Sequence, residues 1–387
     1  MLNATGKPLQ ILAIITAFLA LAGAIQQWYG AVVVERFSKQ RRIACKSHPP
    51  ITILKPLCGV EALTEVALES FFLLDYPAYQ LVFGVQNADD PVLAVISSLR
   101  ARYPGQDVAL MVNDTGHGQN RKISNLINMI PLAKYDVLVI SDADVHVPPY
   151  YLDAVIGALE EPGVGVVTTV YTGLPASPHI ASELGAAQIN YNFLPGALLA
   201  RQFGRQDCMG VTMAIRASVL AKIGGLQALA NNLADDQVLG RLARAAGYNI
   251  AIAQVIPATT VPEADFSALF LHELRWARTI RALVPVAYMG TIFQATLLWA
   301  VLTVLLSGLA IWSILLFAGV FGVRVITARR LAASLKLPQE ENIWLFLLRD
   351  FFSTIIYIAS FAGNRVTWRG TSMNADSGRL VSGRKSK

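Results

Sequence analysis

Ile11 to Val34 is an apolar run with Gln26 and Gln27 as its only strongly polar interruptions, and roughly 20 such residues suffice to cross a bilayer. Arg36, Lys39, Arg41, Arg42 and Lys46 follow at once, against Lys7 alone before it. The positive-inside rule therefore predicts a cytoplasmic domain after the span. A cleaved signal peptide is the competing reading, opposed by basic residues on the wrong side and by a run long for an h-region. With 54% hydrophobic and 15% charged residues in 387, the chain is too apolar for an ordinary soluble enzyme. The net charge of +6 does not imply nucleic acid, because many basic residues flank apolar segments and no basic stripe is interleaved with aromatics. Cys45, Cys58 and Cys208 show no paired spacing and no metal-ligand pattern with the histidines, so they are predicted as reduced thiols.

From Ile51 to about Pro257 the pattern is that of an α/β domain. Strands are predicted at Ile51–Leu54, Leu81–Val85, Val108–Val112 and Val137–Ile140. Helices are predicted at Glu61–Leu74, Pro91–Tyr103 and Lys122–Leu132. This alternation calls for right-handed crossovers and a parallel sheet, with ligands outside the carboxyl ends of the strands. Acids fall there: Asp89-Asp90-Pro91 beyond the second strand, and Asp142-Ala143-Asp144 beyond the fourth. Two carboxylates one residue apart at a strand end suit Mg²⁺ or Mn²⁺ shared with nucleotide phosphates. Alternatively they cap a helix started by Pro148-Pro149. Asp235-Asp236 opens a helical stretch to Ala246, as chemistry or as complement to the helix N-terminus. Phe266 to Arg281 reads as a helix along the membrane surface, with Phe266, Leu269, Phe270, Leu274 and Ile280 apolar and Arg275, Arg278 and Arg281 basic.

Thr291 to Val323 is too long for one upright helix, with Ser307-Gly308 a turn between two spans. Asn342 to Gly363 is a further segment, in which Arg349-Asp350 reads as mutually paired, snorkelling or functional. Basic residues from Arg365 to Lys387 favour a cytoplasmic C-terminus, whereas the span count puts it outside, so one segment is read as monotopic or re-entrant. From Ser372 the tail reads as loose.

The order Asp90 with its following Pro, Asp142, Asp236, then Arg275-Trp276 resembles the D, D, D, (Q/R)xxRW signature of inverting, membrane-bound glycosyltransferases, and more narrowly the ceramide glucosyltransferase family. It is similar in particular to the bacterial branch associated with hopanoid biosynthesis. Leu54-Lys-Pro-Leu-Cys-Gly-Val60, Ser70 to Pro77, Asn120-Arg-Lys-Ile-Ser-Asn-Leu126, Gly210 to Arg216, Gly224-Gly-Leu226 and Trp368-Arg369 carry the likeness over roughly residues 50 to 370. His272 departs from it, standing where Gln or Arg is usual.

The resemblance implies a GT-A (Rossmann-like) cytoplasmic domain plus transmembrane helices at both ends. Residues 1–46 form the anchor and basic flank, 47–262 the catalytic domain, 263–287 the interfacial helix, 288–365 the C-terminal membrane region and 366–387 the basic tail. It implies a UDP-sugar donor, a membrane lipid acceptor, a divalent ion on Asp142 and Asp144, and a multi-pass protein of the bacterial inner membrane. Asp90 would bind uridine and Asp236 would be the general base. Arg275, Trp276 and Lys122 would serve the donor, although Lys122 also reads as a solvated helix lysine. A hopanoid, bacteriohopanetetrol, with N-acetylglucosamine is the implied pair, and ceramide with glucose the alternative. A polysaccharide synthase fits the few C-terminal spans less well. A transporter leaves the large α/β domain unexplained.

Overall fold

The computed structural model describes residues 6–338, 344–368, 371–376 and 379–382. The chain opens with α1 (Gly6–Lys39), then alternates β1 (Ile51–Leu57), α2 (Thr64–Phe72), β2 (Tyr79–Val85), α3 (Val92–Arg102), β3 (Asp107–Val112), α4 (Arg121–Met129) and β4 (Val137–Ser141). There follow β5 (Val145–His146), α5 (Tyr151–Leu159), β6 (Val164–Thr168), β7 (Thr172–Pro175), α6 (Ile180–Gln188) and α7 (Leu194–Gln202). Next come β8 (Thr212–Arg216), α8 (Ala217–Lys222), α9 (Asp235–Ala245), β9 (Asn249–Ile252), β10 (Ala258–Val261) and α10 (Phe266–Leu283). The last elements are α11 (Pro285–Met289), α12 (Thr296–Leu306), α13 (Ile311–Leu335), α14 (Trp344–Phe361), β11 (Arg365–Trp368), β12 (Thr371–Asp376) and β13 (Arg379–Ser382).

Two compact units emerge. One joins the chain up to Lys39, His179–Gln202 and Glu263–Asn364; the other joins Gln40–Pro178, Phe203–Pro262 and the chain from Arg365. The block expected over 47–262 is thus interrupted by His179–Gln202.

In the α/β unit a seven-stranded sheet runs β3-β2-β1-β4-β8-β6-β9. The four strands read from the sequence are parallel, but β8 lies antiparallel between β4 and β6, so the sheet is mixed. Both faces are covered. Ile51, Ile53, Leu81, Phe83, Val137 and Val139 share one core with Phe71, Leu99 and Val155. Leu54, Val82, Leu138 and Ile140 share another with Ile123, Leu126 and Leu239. Burial on both sides is why these strands read as unbroken apolar runs, and each such large side chain contributes about 1.5–3 kcal/mol. Gly84 of β2 lets α4 approach closely: a Cβ there would strike Met129 and the Asn125 side chain, whose Nδ2 donates to the Gly84 carbonyl at 2.8 Å. The tail read as loose from Ser372 instead contributes β12 and β13, which pair antiparallel with each other, and β12 with β11 ahead of it, through backbone ladders. Arg369 lies outside the described residues.

The other unit is built from helices. Among the described residues three are long and apolar enough to cross a membrane, Pro8–Lys39, Ile311–Leu335 and Trp344–Phe361, and Pro285–Gln294 with Thr296–Leu306 forms a pair bent by 61°. Small buried residues Ala13, Ala17, Ala20, Ala24 and Ala31 recur on one stripe of α1. Such a stripe lets backbones approach closely. Thr303 of α12 donates to Thr16 of α1 at 2.9 Å, and Arg330 of α13 pairs with Glu35 at 2.5 Å. The turn expected at Ser307-Gly308 is present, with Gly308 at φ +67°. The following helix runs past Val323 to Leu335 because Arg324 is fully buried, 3.8 Å from Asp350 and 3.4 Å from the Asn192 side-chain oxygen. Of the readings left open for Arg349-Asp350, mutual pairing is not the one adopted. Arg349 makes a bidentate contact with Glu273 of α10, both distances 2.7 Å, while Asp350 accepts the Leu297 amide at 2.8 Å.

Candidate active site

Asp90 lies beyond β2, and Asp142 and Asp144 beyond β4, at carboxyl ends of parallel strands, while Asp236 stands in the first turn of α9. Asp142 and Asp144 follow β4 directly, and neither caps α5. Asp144 accepts from the Thr259 hydroxyl of β10, and its carbonyl accepts the Thr260 amide at 3.0 Å. Asp142 receives the Lys122 ammonium at 2.6 Å. From beneath, the buried Lys55 of β1 donates to the Asp142 carbonyl at 2.5 Å, so the turn carrying both carboxylates is held by side chains from β1, α4 and β10.

Lys122 is no solvated helix lysine. Asn120 caps α4 by accepting the Ile123 amide at 3.1 Å, and its Nδ2 reaches the Asn232 carbonyl at 2.9 Å and Asp235 at 3.3 Å. That cap ties the start of α4 to the start of α9, and Lys122 in the first turn lies 3.5 Å from Asp235. Asp235 is turned into this network. Asp236 remains half-buried beside it, with its own Gln237 amide at 2.7 Å.

Electrostatics bind the group together. Burial opposes the charge on Lys122, but Asp142 and Asp235 overcome it and raise its pKa. Burial, reinforced by Asp235, pushes the Asp236 carboxyl up to about 7. Burial and the Asp142 charge also raise Asp144. Lys55, fully buried, is lowered to about 7 by desolvation, against the pull of Asp144 and Asp142. Tyr171 is raised by burial and then by the charges of Asp236, Asp144 and Asp142 in turn. A divalent ion fits this donor set. Two hard oxygen ligands crowd negative charge into a desolvated turn, and a Mg²⁺-like ion takes one or two carboxylates while phosphates and water complete its shell.

Asp90 serves a different part of the same strand edge. Its carboxylate accepts Gly59 N–H at 3.0 and 2.8 Å and Val92 N–H at 2.9 Å, joining the loop after β1 to the start of α3. A cleft of about 380 Å³ nearby is lined by Gln86, Asn87, Asp114, Gly116, Gly118, Arg121 and Ser124. Arg275 and Trp276 lie on α10, in the helical unit. There His272 contacts Glu263 and meets Trp276 edge-on at 4.5 Å between ring centroids. Burial opposes ionisation of Glu263, but His272, and more weakly Arg275, hold it below the ordinary carboxylate range.

Sequence reasoning did not single out Lys55, Thr259 or Tyr171. Lys55 had a signal: a charge inside a strand buried on both faces requires a partner. Tyr171 and Thr259 had none, since Thr259 meets Asp144 only through strand pairing and Tyr171 feels the acids only once the chain is folded.

The family model described as Glycosyl transferase family 21 matches residues 12–381. Ceramide glucosyltransferase 3 of Caenorhabditis elegans is 23% identical over 337 residues, covering 84% of this chain and 72% of its own length. Ceramide glucosyltransferase of Komagataella phaffii is 29% identical over 160 residues, 39% of this chain and 31% of its own. The solved mannosyltransferase PcManGT from Pyrobaculum calidifontis, in complex with GDP-Man and Mn²⁺, has a similar fold. Its TM-score is 0.53 at 16% identity, over 91% of this chain and 99% of that one.

Proposed function

The chain belongs to glycosyl transferase family 21, and from that premise we propose that it moves one N-acetylglucosamine from a UDP-sugar to the hydroxyl of a membrane lipid, a hopanoid such as bacteriohopanetetrol. It is a hexosyltransferase of GT-A fold with apolar helices at both ends. The observation that carries the reading is Asp236, with its carboxyl pushed up to about 7 beside the Lys122, Asp142 and Asp235 network. A base is most effective when its pKa lies near the working pH.

In this reading the acceptor oxygen attacks the anomeric carbon from the face opposite UDP, and its proton passes to Asp236. The bond from that carbon to the diphosphate oxygen breaks, UDP leaves with the electron pair, and the configuration inverts. Asp142 and Asp144 would hold Mg²⁺ or Mn²⁺, which supplies Lewis-acid neutralisation of the diphosphate worth several kcal/mol. Lys122 holds the Asp142 carboxylate, and Lys55 holds the backbone of the turn, before the donor arrives. Asp90 and the adjoining cleft suit the uridine, the cleft being of a size common for small-molecule sites. Arg275 and Trp276 keep the roles the family motif implies, positive charge for the diphosphate and a flat surface for sugar or lipid. The membrane helices and the basic flank after α1 support a place at the cytoplasmic face of a bacterial inner membrane.

Removing divalent cations with excess chelator is expected to abolish transfer, and Mg²⁺ or Mn²⁺ to restore it. Asp142→Asn and Asp144→Asn should lose transfer while their circular dichroism stays that of the wild type. Full transfer in chelator would remove the metal assignment.

Ceramide with UDP-glucose is the second reading, favoured by the names of the relatives. Mixed micelles holding bacteriohopanetetrol or ceramide, given UDP-N-acetylglucosamine or UDP-glucose and read by mass spectrometry, separate the two. Product from ceramide alone overturns the hopanoid, and product from UDP-glucose alone overturns the donor. A ladder of long sugar chains would promote a polymer synthase instead.

A further inference from the structure

The segment that leads from α1 into β1 lies along one face of α5. Asp153, Gly157 and Glu160 recur there at helical spacing. Gly157 is needed because a Cβ would strike the Ile43 carbonyl. On either side of that close approach the acids grip the segment. The Cys45 amide donates to Asp153 Oδ1 at 3.3 Å, and Glu160 accepts the Lys46 amide at 2.7 Å, the Ser47 amide at 2.9 Å and the Ser47 hydroxyl. The chain then turns back at His48, with φ 42°, and the His48 amide points at the Cys45 sulfur at 3.3 Å. The sulfur of Cys45, an imidazole nitrogen of His48 and a carboxylate oxygen of Asp153 all lie within 4.8 Å of one another. Cys45 is buried, and His48 and Asp153 reach solvent.

We propose that Cys45, His48 and Asp153 bind a zinc ion, with Glu160 holding the ligand loop in shape from outside the first layer of ligands. In this proposal Cys45-x-x-His48, where the sequence showed no metal-ligand pattern, supplies two ligands, and the third comes from a helix far along the chain. The donor set of thiolate, imidazole and carboxylate is one that Zn²⁺ takes with a water in the fourth position. His48 Nε2 lies 3.4 Å from Asp153 Oδ1, close to the edge of about 3.3–3.4 Å expected in a tetrahedron with bonds near 2.0–2.1 Å. The sulfur lies within 4.8 Å of both, and Zn–S near 2.3 Å asks for about 3.5 Å. Binding exchanges the thiol proton for the metal: Cys45–SH and Zn²⁺ give Cys45–S–Zn and a released proton. This donor set differs from the all-oxygen pair of Asp142 and Asp144, which favours Mg²⁺ or Mn²⁺, so the two sites can be told apart.

The test uses the full chain in detergent, stripped with chelator and titrated with Co²⁺ as the optical stand-in for Zn²⁺. The wild type is expected to develop a sulfur-to-cobalt charge-transfer band that saturates at one equivalent and disappears on adding Zn²⁺. Cys45→Ser and His48→Ala should abolish the band, whereas Cys58→Ser and Asp142→Asn should keep it. Glu160→Gln should weaken affinity about 10–100-fold, the usual cost of losing an outer-layer partner. Zn²⁺ should also raise the Tm of the wild type and leave that of Cys45→Ser unchanged. A wild type with no band, or a band that survives Cys45→Ser, overturns the site.

Discussion

Replacing Asp236 by Asn is expected to lower turnover by about 10²–10⁴-fold, the usual contribution of a general base, while UDP binding stays within a few fold. The substitution removes the proton acceptor but keeps the shape, and the groups read as holding the donor, from Asp90, Lys122, Asp142 and Asp144 to Arg275 and Trp276, lie on elements other than α9. Titrating UDP against both proteins and then measuring transfer separates the two effects, and equal losses in both would reassign Asp236 to donor binding. The pH profile gives an independent reading. A carboxyl pushed up to about 7 by burial and Asp235 is protonated and inactive below that pH, so kcat/KM of the wild type should rise as pH climbs through about 7. Lys122, Asp142 and Tyr171 share its surroundings, so the apparent value belongs to the group. In Asp236→Asn this limb should vanish.

Arg349→Met should strongly destabilise the helical unit. It leaves the Glu273 carboxylate buried without its two guanidinium hydrogen bonds, and removing one partner of a buried pair costs about 3–5 kcal/mol. Glu273→Leu with Arg349→Met should recover most of that loss, because replacing both charges by apolar groups is often neutral. Thermal unfolding of wild type, both single variants and the double variant in one detergent forms the cycle. A double variant no more stable than the worse single variant would mean that the two residues act separately.

The parallel half of the sheet was legible because strands buried on both faces announce themselves as apolar runs, and the acids because two of them interrupt such a run at its end. What escaped has a common physical origin in long-range contact. Thr259 meets Asp144 across 115 positions of sequence. The antiparallel placement of β8 depends on which gap in the sheet remains to be filled. Arg324 ended the expected apolar segment at Val323 because hydropathy counts its charge and cannot see Asn192 and Asp350 beside it. The tail looked loose by composition, yet its short strands close on one another through backbone hydrogen bonds that side-chain chemistry does not reveal.

The interleaving of the two units along the chain constrains the order in which the protein can be made. The gap between β4 and β6 is filled by β8, which is synthesised only after His179–Gln202, a segment of the helical unit, has left the ribosome. Chains emerge and fold from the N-terminus, so the nascent sheet waits with an open seam while a piece of the other unit is delivered. A nascent chain arrested before Thr212 therefore carries every strand from β1 to β7 and still exposes unpaired edges of β4 and β6, the kind of surface that invites pairing with another chain.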